Sequence, residues 1–231
     1  CTSMLAEDLK PNRLEAAKDV AAEFINGRPN DNIGITLFAG ETFTQCPLTV
    51  DHAVLLDMIH NIKCGLIEDG TAVGMGVANA VTRLKDSKAK SKVIILLTDG
   101  TNNKGDISPL TAAEIAKSFG IRVYTIGVGT NGMAPYPYPV GNTVQYINMP
   151  VEIDEKTLTQ IAGTTDGNYF RATSNSKLKE VYEEIDKLEK TKLNVKEYSK
   201  REEDYRWFAL AAFLCVLLEV LLRNSILKKI P

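Results

Sequence analysis

Histidine, paired cysteines and surplus positive charge are what this sequence is short of. Only His52 and His60 are available for imidazole chemistry. Both lie in or beside "DHAVLLDMIH", where a spacing of eight puts them near one helix face. They read as surface or satisfied histidines, with catalysis as the alternative. The four cysteines, Cys1, Cys46, Cys64 and Cys215, show no CxxC spacing and lie in unlike contexts, so neither a zinc site nor a disulfide framework is indicated. Free thiols are expected, and a Cys46 to Cys64 bridge stays open. Lys and Arg number 27 against 29 Asp and Glu, a net charge of -2, which gives no basic field for nucleic acid.

A dinucleotide fingerprint in its proper context is also missing. "GVGTNG" matches GxGxxG through Gly127, Gly129 and Gly132, but such a motif must open a helix after the first strand. Here it leads into "MAPYPYPVGNTVQYINMP", Met133 to Pro150, a proline-rich stretch that cannot start one. No nucleotide is therefore expected. The insert, with Tyr136, Tyr138 and Tyr146 among prolines, is long for a connection. It reads as a small hairpin, a partner surface, or a loop folded back over the sheet edge.

What is present is apolar periodicity. With 44% hydrophobic residues over 231 positions, the chain can bury one substantial core, with a separate short segment at either end. "NRLEAAKDVAAEFI" has helical spacing, and "NIGITLFAG" and "TFTQCPLTV" read as strands joined by a turn at Gly40 and Glu41, the second an edge because of Pro47. "HAVLLDMIHNI" and "TAVGMGVANAVTRL" are helices, and "KVIILLTDG" is a strand buried on both faces. "SPLTAAEIAKSFG" is a helix capped by Ser108, with Pro109 first and Gly120 last. "IRVYTIGVG" is another buried strand. A helix around Asp154 to Ala162 and a strand near Asn168 to Arg171 follow, and a further helix presents Leu178, Val181, Tyr182, Ile185 and Leu188 on one face. The alternation predicts an α/β fold, a doubly wound, mostly parallel sheet with helices on both faces.

Residues 191–206 are charged and read as a juxtamembrane connector. "WFALAAFLCVLLEVLL", Trp207 to Leu222, would run about 24 Å as a helix at ~1.5 Å per residue. That is short of a roughly 30 Å hydrocarbon core. Ile226 and Leu227, with snorkelling Arg206 and Arg223, extend it to a transmembrane segment over 207–227. A buried core helix is the alternative, although such a helix is rarely apolar on every face. Glu219 is the anomaly, with Arg223 one turn on as its partner near the membrane boundary. Residues 228–231 form a short basic tail. Lys and Arg flank the span on both sides, so the charge rule gives no orientation.

Asp99 ends the central strand. Asp before Gly is ordinary turn chemistry, but ligands of open α/β sheets also bind outside the carboxyl ends of strands. "TSM" followed by a helix, the "DGTAVGMG" loop and a strand ending "LLTDG" resembles the von Willebrand factor A domain. With the "GMAPYPYP" insert and the C-terminal apolar segment, the chain is similar to bacterial BatA-type membrane proteins of aerotolerance operons. The resemblance implies a domain over 1–190 lacking its first strand, with a metal site drawn from a DxSxS loop, a distant Thr and a distant Asp. Ser3 matches the second Ser, Thr71 the Thr and Asp99 the Asp. Cys1 falls where the family has its first Ser, and the leading Asp would lie two residues before the chain begins.

These oxygens suit Mg²⁺, or Mn²⁺ or Ca²⁺, whereas the Cys1 thiol is a poor ligand for a hard cation, so metal binding by this chain is expected to be weak or absent. Ser3 and Thr71 also read as N-caps of the helices they precede. Two function classes follow. The first is a membrane-anchored module that binds another envelope protein through a carboxylate at the open metal position and does no chemistry. The second is a Mg²⁺-dependent enzyme using Asp99 in phosphoryl transfer, with Lys104 and Asp106 nearby. That chemistry calls for further acidic groups at other strand ends. The resemblance implies a bacterial inner-membrane location with the domain in the periplasm.

Overall fold

The computed structural model describes residues 2–65, 67–141, 143–199 and 205–225. Cys1 lies outside them. The chain separates into two units, Cys1–Leu188 and Glu189–Pro231.

In the first unit a 3₁₀ turn, Thr2–Leu5, precedes α1 (Arg13–Asn26), β1 (Ile33–Phe38), β2 (Thr42–Thr49), α2 (His52–His60) and α3 (Val73–Leu84). β3 (Lys92–Thr98), α4 (Pro109–Ser118), β4 (Ile121–Val128), β5 (Met133–Val140) and β6 (Thr143–Pro150) follow, then α5 (Glu155–Thr164), β7 (Tyr169–Ala172) and α6 (Asn175–Ser199), which continues into the second unit.

β3, β4 and β7 form a parallel sheet in that order. Its strands alternate with period two. Ile94, Leu96, Ile121 and Val123 face α3, α4 and α5, packing on Val77, Ala113 and Ile161. Tyr124, Ile126 and Val128 face α1 and α6, packing on Ala16, Leu178 and Ile185. Both faces are therefore dry, which is why these strands read as unbroken apolar runs. Each fully buried Ile or Leu here contributes about 1.5–3 kcal/mol. α3 tolerates Gly74 and Gly76 at a cost in helix propensity because it lies against its neighbours. A Cβ at Gly76 would sit 2.9 Å from the Phe38 ring, and one at Gly74 would meet the Ile107 carbonyl.

The single doubly wound sheet expected from sequence is divided. β1 and β2 pair antiparallel as a separate ladder over α2, because no strand among the described residues pairs with both β1 and β3. Among the described residues β2 pairs with β1 alone, which suits Pro47 at an edge. The 133–150 insert is a third, two-stranded antiparallel sheet. Pro135, Pro137 and Pro139 face Asn148, Tyr146 and Val144. Proline has no N–H, so these are the pairs that do not exchange ladder bonds, and the three prolines blunt the outer edge of β5. The Pro135 carbonyl on that edge accepts the Glu7 amide at 3.0 Å.

Cys46 and Cys64 form no disulfide among the described residues. His52 Nε2 lies 2.9 Å from the Asp31 carbonyl, and the His60 backbone carbonyl accepts Lys18 Nζ at 3.1 Å. In the second unit α7 (Tyr205–Ser225) leaves Leu210, Phe213, Val216 and Leu218 exposed. Among the described residues no helix is long and apolar enough to cross a membrane. Residues 226–231, which include the end of the expected span and the basic tail, lie outside the description.

Candidate functional site

Asp99 stands at the carboxyl end of β3. The sequence places it on a solvent-facing strand end, but its side chain is buried, with the residue only 6% exposed. It is covered because two other segments close over it. From the 3₁₀ turn, Ser3 Oγ donates to Asp99 Oδ1 at 2.8 Å. From the start of α1, Arg13 Nη1 donates to Asp99 Oδ2 at 3.0 Å.

Arg13 is itself fully buried. Its guanidinium grips Asp8 with two parallel bonds, Nε to Oδ1 at 2.8 Å and Nη2 to Oδ2 at 2.7 Å. This fork geometry is the strong, oriented form of the pair. Nη1 also donates to the Tyr136 hydroxyl at 3.1 Å, and the Tyr136 ring centroid lies 5.6 Å from Cζ. Asp8 further accepts the Thr130 amide at 2.8 Å. Gly129 makes room for the arginine: its φ is +143° and a Cβ there would sit 2.8 Å from Nη2, a conformation and a clearance only glycine offers.

The loop after α2 completes the ring. Asp69 accepts Thr2 N at 3.1 Å and Thr2 Oγ1 at 2.7 Å. Thr71 donates its amide to Asn103 Oδ1 at 2.9 Å, and its carbonyl accepts the Asn103 amide at 3.0 Å. A side chain at Gly100 would begin 3.5 Å from Thr71 Oγ1, so this hydroxyl adjoins the loop that carries Asp99. Neither Ser3 nor Thr71 caps a helix: Asn12 caps α1, and Ala72 precedes α3 without a side-chain cap bond. Lys104 pairs at the surface with Glu68 at 3.7 Å.

Burial pushes the Asp99 carboxyl above its usual range, and Ser3 and Arg13 offset this only in part. Burial also raises Asp8, but bonds from Arg13 and Thr130 outweigh it and hold Asp8 low. Burial alone would lower Arg13, yet Asp8 and Asp99 keep it more firmly protonated than a free arginine. Two carboxylates against one guanidinium leave this cluster with an excess negative charge, which suits a cation.

The Ser3 and Asp99 oxygens are spaced as two neighbouring ligands of a hard divalent ion would be. Adjacent ligands of an octahedral ion with bonds of 2.0–2.1 Å stand about 2.9 Å apart, and Ser3 Oγ and Asp99 Oδ1 are separated by 2.8 Å. Among the described residues no group of three or more His, Cys, Asp or Glu side chains could hold a metal, so any ion here relies on hydroxyl oxygens. The structure thus joins Ser3 to Asp99 and lays the Thr71 loop beside them. Sequence reasoning missed Asp8, Arg13 and Asp69, and named Tyr136 only as part of the insert. One signal was available for Arg13: a cation at the first position of a helix opposes the helix dipole unless carboxylates hold it.

The von Willebrand factor type A domain profile matches residues 1–184. Among solved structures, BatB from Bacteroides thetaiotaomicron is 34% identical, with a TM-score of 0.71 over 82% of this chain and 94% of that one. An aerotolerance-related membrane protein from Bacteroides fragilis is 31% identical, with a TM-score of 0.70 over 80% of this chain and 92% of that one. An uncharacterized protein of Borreliella burgdorferi is 26% identical over 220 residues, covering 95% of this chain but 64% of the relative. The chain therefore spans less than two thirds of that relative's length. With the β3–β4–β7 sheet, its flanking helices and the three converging loops in place, the chain belongs to the von Willebrand factor type A domain family.

Proposed function

We propose that this domain is a protein-binding module whose Ser3, Thr71 and Asp99 oxygens hold a divalent cation weakly, Mg²⁺ first and Mn²⁺ or Ca²⁺ as substitutes. The observation that carries the reading is the contact of Ser3 Oγ with Asp99 Oδ1 at 2.8 Å beside the Thr71 loop. Two hydroxyls and one carboxylate leave coordination positions open. The chemistry such an ion supplies is electrostatic capture of a carboxylate from another protein. The chain's own part is to orient Asp99 through Arg13, to place Ser3 through the Thr2–Asp69 bonds, and to keep water from the rear of the site by burying Arg13.

Phosphoryl transfer through Asp99 is less well supported. Both of its oxygens accept bonds and the residue is nearly buried, so attack on an incoming phosphorus would require breaking them. Lys104 faces solvent with Glu68, away from any such role.

Attachment to a bacterial inner membrane through α7, with the domain on the periplasmic side and envelope proteins as partners, belongs to the same proposal. The exposed Leu210, Phe213, Val216 and Leu218 support it, as does the likeness to the membrane protein of Bacteroides fragilis. Calorimetry on the full-length protein tests the metal site. Mg²⁺ or Mn²⁺ should bind, Asp99→Asn should abolish the heat, and Thr71→Ala should weaken it. At a hundredfold excess over Kd, the ion stabilises the fold by about 2.7 kcal/mol, visible as a raised Tm. Partner capture that persists in EDTA and in Asp99→Asn would remove the metal from the mechanism.

A further inference from the structure

The described hairpin, β5 with β6, carries no charged side chain. It exposes Met133, Tyr138, Val144, Tyr146 and Ile147. Met133, Val144 and Tyr146 lie on one face of the hairpin and Tyr138 and Ile147 on the other, so both faces offer uncharged apolar contact to a partner. Its side-chain ties to the domain are few and specific. Tyr146 donates its hydroxyl to Glu7 at 2.7 Å, and Tyr136 accepts Arg13 Nη1 at 3.1 Å. The same Nη1 bonds Asp99 Oδ2 at 3.0 Å. One nitrogen thus stands between the carboxylate proposed as a metal ligand and a strand of the exposed hairpin.

We infer that Arg13 is a positioning residue that couples Asp99 to the β5–β6 hairpin, so that the site and the hairpin act as one composite surface for a partner presenting a carboxylate beside an uncharged apolar segment. The partner class rests on the metal-site reading above, whereas the coupling does not. Arg13 has one fixed anchor, the two-bond grip on Asp8. Its remaining arm, Nη1, serves Asp99 and Tyr136 together, and a guanidinium is planar and rigid. Any change in the pull of Asp99 tilts that plane and alters the bond to Tyr136. Coupling of this kind is reciprocal: whatever the site does to the hairpin, a partner seated on the hairpin does to the site.

Hydrogen exchange of the full-length protein reads this directly. In EDTA, Asp99→Asn should speed exchange of the amides of Ala134, Tyr136, Tyr138 and 145–149 by roughly three- to tenfold, as the weakening of one hydrogen bond implies. Thr71→Ala, which leaves the arginine network untouched, should not. In a Tyr136→Phe background, Asp99→Asn should no longer affect the hairpin. Arg13→Lys, which keeps the charge but loses the fork, should mimic the uncoupled state and should not restore the response. Hairpin exchange indifferent to Asp99→Asn, or equally responsive with Phe at 136, would overturn the coupling. The metal reading fails separately, by absence of Mg²⁺ or Mn²⁺ heat in the wild-type protein. If Mg²⁺ binds, it should shift the same hairpin amides in the wild type and leave them unmoved with Phe at 136; a bound ion that leaves the wild-type hairpin silent would also overturn the coupling.

Discussion

Arg13 is the residue on which the site turns, since it is buried, charged and shared by two carboxylates. Removing one member of a buried pair leaves an uncompensated charge and costs on the order of 3–5 kcal/mol. Asp8→Ala, which strips both bonds of the fork, should fall in that range by urea unfolding. Asp99→Ala should cost less, because Arg13 keeps Asp8, but it is not the silent surface change that a solvent-facing strand end would permit. The low pKa of Asp8 sets a pH signature. Its carboxylate contributes stability above its unfolded value near 4, and that contribution is lost as pH falls through the lower folded value. Wild-type Tm should therefore drop more steeply below about pH 4 than the Tm of Asp8→Asn.

At the scale of elements, the period-two alternation of β4 decides the packing. Ile126 faces α1 and α6, fully buried, so Ile126→Ala should destabilise by about 2–5 kcal/mol. Tyr138→Ser, on an exposed stretch of β5, should leave Tm within about 1 °C while weakening capture of a partner, because surface changes away from bonds and caps cost little. The helices and strands were legible because their periodicity is local: Ser108 with Pro109 opens α4, and Asp154 caps α5 through the Thr157 amide at 3.0 Å. The insert stayed open between hairpin, surface and loop, because the three prolines of its first half, Pro135, Pro137 and Pro139, argue against a strand until their partners place them at positions that need no N–H.

For the molecule as a whole, the two units make separate predictions. Residues 1–190 should stay soluble without detergent, since the apolar face of α6, Leu178 to Ile185, is buried on the sheet. The 231-residue chain should partition into lipid vesicles through α7 and resist carbonate extraction. Recovery of the intact chain in the soluble fraction would remove the anchor. The division of the described strands into three sheets is likewise set by long-range pairing. No local pattern states which strands will share a hydrogen bond.

The sequence by itself determined the order of elements outside the insert, the two dry faces of the β3–β4–β7 sheet and the position of Asp99 at a strand end, because apolar spacing and caps act within a few residues. Its likeness to a known family named Ser3, Thr71 and Asp99 together. Only the tertiary structure decided that Asp99 is buried, that Arg13 holds it against Asp8, and that Tyr136 closes the network from the hairpin. These contacts join residues 86 and 123 positions apart. Their strength comes from a shared, water-poor pocket, which exists only once the chain has folded.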